Sequence, residues 1–133
     1  MLDIGKKKYS DDGVWKEYEG ARLKIGRTAS SDYMSATEAL DRPYKRQIDK
    51  GTLSAKKRRD LNIRAIARAV LVDWDGVGEA GEALPYSEEL GVKALSNDPD
   101  LLEFVIDISI ENSNYVARAE KKQPTKLKVT KNG

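Results

Sequence analysis

The side chains that could do chemistry in this chain are its carboxylates, amines and hydroxyls. There are 22 Asp and Glu residues, no cysteine and no histidine. Disulfides, thiolate metal sites and cysteine nucleophiles are thereby excluded. The commonest general base and metal ligand is missing too. No carboxylate pair stands in an arrangement that acid–base catalysis would need. Glu88–Glu89 and Asp98–Asp100 sit where helices should begin, and acids there favour the helix dipole. Asp73, Asp75 and Gly78 match three positions of a calcium loop, but Val77 and Leu84 fall where that loop needs oxygen ligands. Gly76-Val77-Gly78-Glu79-Ala80-Gly81 spells GxGxxG. A dinucleotide site needs those glycines between a strand and a helix. Here the preceding residues have helical periodicity, Leu84-Pro85 follows where the helix should run, and Glu79 would face a pyrophosphate. The expectation is a protein without catalytic residues, cofactor or metal, and not an enzyme.

Charge points toward binding. The formal net charge is +2, but residues 42–68 carry ten Lys/Arg against two acids, and residues 73–111 carry eleven acids against one Lys. Five more lysines lie within 121–133. Opposite halves of this kind should attract each other within the fold, or between copies in a homo-oligomer. Lys56-Lys57-Arg58-Arg59 could touch phosphates. It has no interleaved aromatics for base stacking, and the chain is not basic overall, which argues against a nucleic-acid partner. Mean hydropathy is -0.65, and the longest apolar run, Ala69 to Val72, is far short of the roughly 20 residues of a bilayer span. The first residues lack the apolar core of a signal peptide, so neither a membrane nor a secreted location is expected.

The elements that must position these groups form one domain, since 133 residues are too few for two cores. Residues 1–12 read as a flexible start. Two short alternating runs around Glu19-Gly20 predict a β-hairpin over residues 14–28. Ser30, Ser31 and Asp32 offer N-caps for a helix over 32–40, and Pro43 opens a short helical segment to Asp49 that Gly51 ends. Ser54 caps the clearest helix, residues 55–72. Its stripe of Ile63, Ile66, Ala67, Val70, Leu71 and Trp74 follows i, i+3, i+4 spacing. Residues 73–86 hold glycines and Pro85 and read as a loop. Ser87 starts a short helix to about Leu95, and Asp98-Pro99 starts another. Residues 121–133 read as a disordered basic tail. The fold class is α+β: a mostly α-helical small domain, residues 13–120, with an N-terminal β-hairpin.

Trp74 admits two readings. It is a core residue, or it anchors a partner at a helix end beside a mobile loop, as tryptophan does at interface hot spots. Leu84, Pro85 and Tyr86 put three apolar side chains in a row inside that loop, flanked by acids. They either close over the bundle, with Tyr86 on Trp74, or stay available to a partner. Trp74, Leu84, Pro85 and Tyr86 are thus the candidate protein-binding residues.

Two blocks carry a resemblance. One is Gly13-Val14-Trp15 through Tyr18, then Gly20-Ala21-Arg22-Leu23-Lys24-Ile25-Gly26-Arg27. The other is Val70-Leu71-Val72-Asp73-Trp74-Asp75-Gly76-Val77, then Gly81 and Leu84-Pro85-Tyr86-Ser87. With the Asp98-Pro99 helix, this pattern resembles the small tail assembly chaperones of long-tailed bacteriophages and prophages over roughly residues 13–118. The resemblance implies a non-catalytic factor of phage tail assembly. Such a factor binds the tape-measure protein, the tail-tube protein or both, in the cytoplasm of the infected bacterial host, and is absent from the mature virion. The alternatives are a structural virion component, such as a head–tail joining or minor tail protein, and a small nucleic-acid-binding regulator using residues 56–68 and the lysine-rich tail.

Overall fold

The computed structural model describes Met1, Gly5 and residues 9–116. The basic tail expected over 121–133 lies outside the described residues.

The predicted hairpin forms. Strand β1 (Val14–Tyr18) pairs antiparallel with β2 (Ala21–Ile25), with Tyr18 opposite Ala21. Glu19 and Gly20 both have positive φ, 48° and 85°. That is the backbone of a two-residue turn whose twist matches the strands, and Gly20 adopts it without strain. Helix α1 (Ser31–Asp41) begins where Ser30 accepts a hydrogen bond from the Tyr33 amide at 3.2 Å. A 3-10 turn over Arg42–Tyr44 leads into α2 (Lys45–Lys50), which ends on Gly51 at φ 70°. Ser54 caps α3 (Ala55–Ala69) in the same way as Ser30 caps α1, accepting from Lys57 at 3.1 Å.

The helix predicted to run to residue 72 stops at Ala69, and Leu71–Asp75 is strand β3. β3 pairs with β2 and completes a sheet of order β1-β2-β3. The apolar spacing misled because Leu71 and Trp74 are both in the core, three residues apart. A regular strand would put them on opposite faces. The register shifts here: Lys24 lies opposite Asp73 while Ile25 lies opposite Leu71. Val72 is the extra residue of a β-bulge and faces outward, 38% exposed. The bulge turns Leu71 and Trp74 to the same side, and the result imitates a helical stripe.

The segment read as the loop 73–86 is ordered in part. After β3, strands β4 (Gly78–Glu79) and β5 (Glu82–Ala83) form a second hairpin, with Ala80 and Gly81 at φ 53° and 82°. The glycine segment therefore does follow a strand, contrary to the helical reading, but it opens a hairpin instead of a helix. Ser87 caps α4 (Glu88–Asn97), accepting from Leu90 at 3.2 Å. Asp98 caps α5 (Pro99–Ile110) through bonds from Asp100 and Leu101, both 3.1 Å. A 3-10 turn, Asn112–Tyr115, follows.

One face of the sheet packs on the helices. Leu23, Ile25, Leu71 and Trp74 from the strands meet Ile63, Ile66, Ala67 and Val70, with Leu95, Leu101 and Val105 from α4 and α5. Phe104 stacks on Tyr18 with ring centroids 4.9 Å apart, so α5 also covers the first hairpin. Near the ends of the described chain, Tyr115 is 1% exposed. Its hydroxyl donates to the Ile25 and Gly26 carbonyls at 3.1 Å each. Burial pushes that hydroxyl up to about 12, against the opposing charge of Arg27. Tyr9 bridges Val116, and the Ser10 amide donates to the Tyr115 carbonyl. Residues 9–10, expected within the flexible start, are thus tied to the far end of the domain.

Two substitutions test this packing. Ile66→Ala should lower unfolding free energy by about 2–4 kcal/mol in urea denaturation, because the buried side chain leaves a cavity among residues that cannot all collapse. Tyr115→Phe keeps the ring and removes the buried hydroxyl shared by the Ile25 and Gly26 carbonyls, so it should cost about 1–2 kcal/mol.

Candidate functional site

The sequence-predicted residues come together around the end of α3, and they do so in unequal roles. Trp74 is not at a helix end. It lies in β3 and is 3% exposed. Tyr86 packs on it edge to face, with centroids 4.8 Å apart and planes at 89°. The Trp74 indole Nε1–H donates to the Leu84 carbonyl at 2.7 Å, and the Leu84 amide donates to the Val77 carbonyl at 2.9 Å. Of the two readings left open for this segment, closure over the bundle holds for Trp74 and Tyr86. Leu84 is half-buried, and Pro85 is exposed.

Tyr86 has a further partner that sequence reasoning missed. Its hydroxyl donates to the Ala67 carbonyl, in the last turn of α3. Carbonyls in that turn have no amide four residues on and need another donor. Burial, then the charges of Glu88 and Asp73, push the Tyr86 phenol well above its ordinary value, so it stays a neutral donor. The approach depends on Gly91, inside α4. A Cβ there would come within 2.9 Å of the Tyr86 ring carbon Cζ. A lone glycine within a helix costs about 1 kcal/mol relative to alanine, which was the sequence signal that something packs against it.

Beside this lock lies an apolar niche of about 160 Å³. Trp74, Val77, Leu84, Leu90 and Ala94 form much of its wall. A volume of this order holds one benzene-sized group. Glu79 and Lys93 close its rim and bond to each other at 2.8 Å, joining the tip of the second hairpin to α4. Both side chains are more than half exposed, and an exposed pair of this kind is worth at most about 1 kcal/mol. Leu90, Lys93 and Ala94 were not legible as site residues. They reach the niche only because α4 folds back over the glycine segment.

The expected attraction between the basic and acidic halves appears on the neighbouring face, within one chain. Arg68 donates to Glu88 through Nε at 2.9 Å and through Nη2 at 3.1 Å. Arg64 donates to Glu88 at 3.0 Å and to Glu89 at 2.6 Å. The hydrogen bond from Arg68, then that from Arg64, holds the Glu88 carboxyl below the usual carboxylate range, against the opposing effect of burial. Glu89 is lowered through its bond from Arg64. Among the described residues no group of three His, Cys, Asp or Glu side chains could hold a metal ion. No helix of the described residues is long and apolar enough to cross a membrane.

The family model for the YdaY prophage protein matches residues 28–126. The chain belongs to this family. It is therefore a phage or prophage protein, as the resemblance implied at the coarser level. The match runs from the entry to α1 through the niche and α5, and leaves the first hairpin outside. No curated protein and no solved structure matches the chain.

Two measurements test the geometry. Gly91→Ala should displace Tyr86 and destabilise the domain by about 1–3 kcal/mol in spite of alanine's better helix propensity, with a change in Trp74 fluorescence. The carboxylates of Glu88 and Glu89 titrate lower when folded. Their contribution is therefore full above the unfolded value of about 4.3 and is lost as pH falls through the folded values. Melting temperature should drop in that acid window, and Glu88→Gln should flatten the drop.

Proposed function

We propose that this prophage protein acts by binding alone, as an assembly factor for the phage tail that holds the tape-measure protein, the tail-tube protein or both in the cytoplasm of the bacterial host. The observation that carries the reading is the niche beside Trp74. Its wall is rigid, because Trp74 and Tyr86 are locked to Leu84 and Ala67. Its rim is a single exposed ion pair that can open at little cost. A preorganised apolar socket with a weak polar rim suits one anchoring side chain of a partner segment, taken up and released repeatedly. The link to tails comes from the resemblance of residues 13–27 and 70–87 to tail assembly chaperones, and it agrees with membership of a prophage family.

Tyr86 and Trp74 are poor choices for testing this, because changing either breaks the fold. The niche can instead be filled. Ala94→Phe places a ring in the socket from α4, and Val77→Asp puts a charge in its wall. Each should leave the melting temperature within a few degrees of the parent. Each should weaken binding to the tape-measure or tail-tube protein of the same prophage by at least about tenfold, the equivalent of about 1.4 kcal/mol, in titration calorimetry. Unchanged binding by both variants, or recovery of the protein at fixed copy number in purified virions, would overturn the proposal.

A further inference from the structure

The second hairpin offers the niche more than an apolar wall. Strands β4 and β5 pair Gly78 with Ala83 and Glu79 with Glu82. Next to these pairs, the Leu84 amide donates to the Val77 carbonyl at 2.9 Å. Bonded and non-bonded rows alternate along an antiparallel pair. The rows Val77–Leu84 and Glu79–Glu82 are therefore bonded, and the row Gly78–Ala83 between them is not. The N–H and C=O of Gly78 point away from β5, out of the β4 edge, while those of Ala83 point out of the opposite edge. No other described residue supplies Gly78 with a backbone partner.

The two edges are not equivalent. Gly78 lies on the wall of the niche and is exposed, whereas Ala83 lies outside it. The hairpin itself requires glycine there, since a Cβ at Gly78 would lie 2.5 Å from the Glu82 carbonyl oxygen. The missing side chain also leaves the backbone open to close approach. A charge would ordinarily guard such an edge, but Glu79, the charged side chain of β4, is drawn across the niche to Lys93. Side chains alternate along a strand, so Val77 and Glu79 share a face of the hairpin, the one that lines the niche. Glu82 stands directly opposite Glu79, an unfavourable pair of like charges. Lys93 serves Glu79, while Glu82 forms no ion pair among the described residues. The hairpin tip therefore favours a further cation.

We propose that the niche takes an extended partner segment that adds an antiparallel strand to β4, pairing with Gly78 and carrying the sequence pattern basic–x–aromatic. The proposal rests on the reading of the niche as a partner-binding site, and it names the form and chemistry of the partner. One residue of the segment, opposite Gly78, takes both bare backbone groups, as antiparallel pairing allows. Its two neighbours turn to the niche face. The residue that follows lies beside Val77 and puts a ring into the socket of about 160 Å³. The residue that precedes lies beside Glu79 and brings a lysine or arginine to the acidic tip. Backbone pairing supplies affinity independent of sequence, and the two side chains supply selectivity.

Overlapping peptides spanning the tape-measure and tail-tube proteins of the same prophage serve as probes, with amide hydrogen exchange on the full chain followed by NMR. A bound peptide should hold a basic residue two positions before an aromatic one. It should slow exchange of the Gly78 amide by at least about tenfold and leave the Ala83 amide, on the opposite edge, as in the free protein. Methylating the backbone nitrogen of the residue between the two should weaken binding by at least about tenfold, because that N–H faces Gly78. Methylating the nitrogen of the aromatic residue, which faces away, should be tolerated. A peptide that Ala94→Phe displaces but that leaves Gly78 unprotected, lacks the pattern, or survives the first methylation overturns the added strand and leaves the niche as a socket. If no peptide binds, the added strand is overturned as well, and calorimetry with the whole partner proteins still decides the reading of the niche.

Discussion

The abrupt end of α3 is the constraint on which the rest of the architecture depends. A helix leaves its last carbonyls without amide partners, and here the chain passes from helix to strand between Ala69 and Leu71. The Val70 amide closes the last turn on the Ile66 carbonyl, and two further acceptors are met from distant parts of the molecule: the Tyr86 hydroxyl reaches Ala67, and the Gly26 amide reaches Val70 at 2.7 Å. These bonds draw the end of β2, the start of β3 and the entry to α4 to one point. Trp74 is buried as a result, and Gly91 must be small.

Distribution of charge follows from the same arrangement. Since α4 begins directly after Tyr86, its first turn lies alongside α3, and Glu88 and Glu89 meet Arg64 and Arg68. These acids also suit the helix N-terminus, so two favourable terms coincide on the same residues. The basic stretch is divided by this pairing. Its C-terminal end meets Glu88 and Glu89, and Lys45, Lys56 and Arg58 pair with acids nearer in sequence, while Arg59 is exposed.

Two apolar surfaces differ in kind. The niche by Trp74 is small, with walls set by hydrogen bonds and edge-to-face packing, and is suited to a single side chain. The groove between α3 and α5, of about 300 Å³, has Ile63, Ile66, Leu102 and Ile106 in its walls. The two sets of lining residues do not overlap.

Local signals determined much of this protein. Ser30, Ser54, Ser87 and Asp98 each cap the helix expected of them, since a side-chain oxygen meets amides only two or three residues away. The turn at Glu19-Gly20 and the core positions of Ile66 and Val70 are likewise readable from short spacings, and the α+β class follows. Tertiary structure alone decided the helix-to-strand change at Val70, because a bulge against Lys24 and Ile25, more than 40 residues away, lets Leu71 and Trp74 share a face. It also decided that Tyr86 closes on Trp74 and that Leu90 and Ala94 wall the niche. The residues 74–86 were legible as unusual, but their apolar side chains had two possible destinations. Choosing between them depended on an unpaired carbonyl at Ala67 and a missing Cβ at Gly91, groups that meet only when α3 and α4 are packed together.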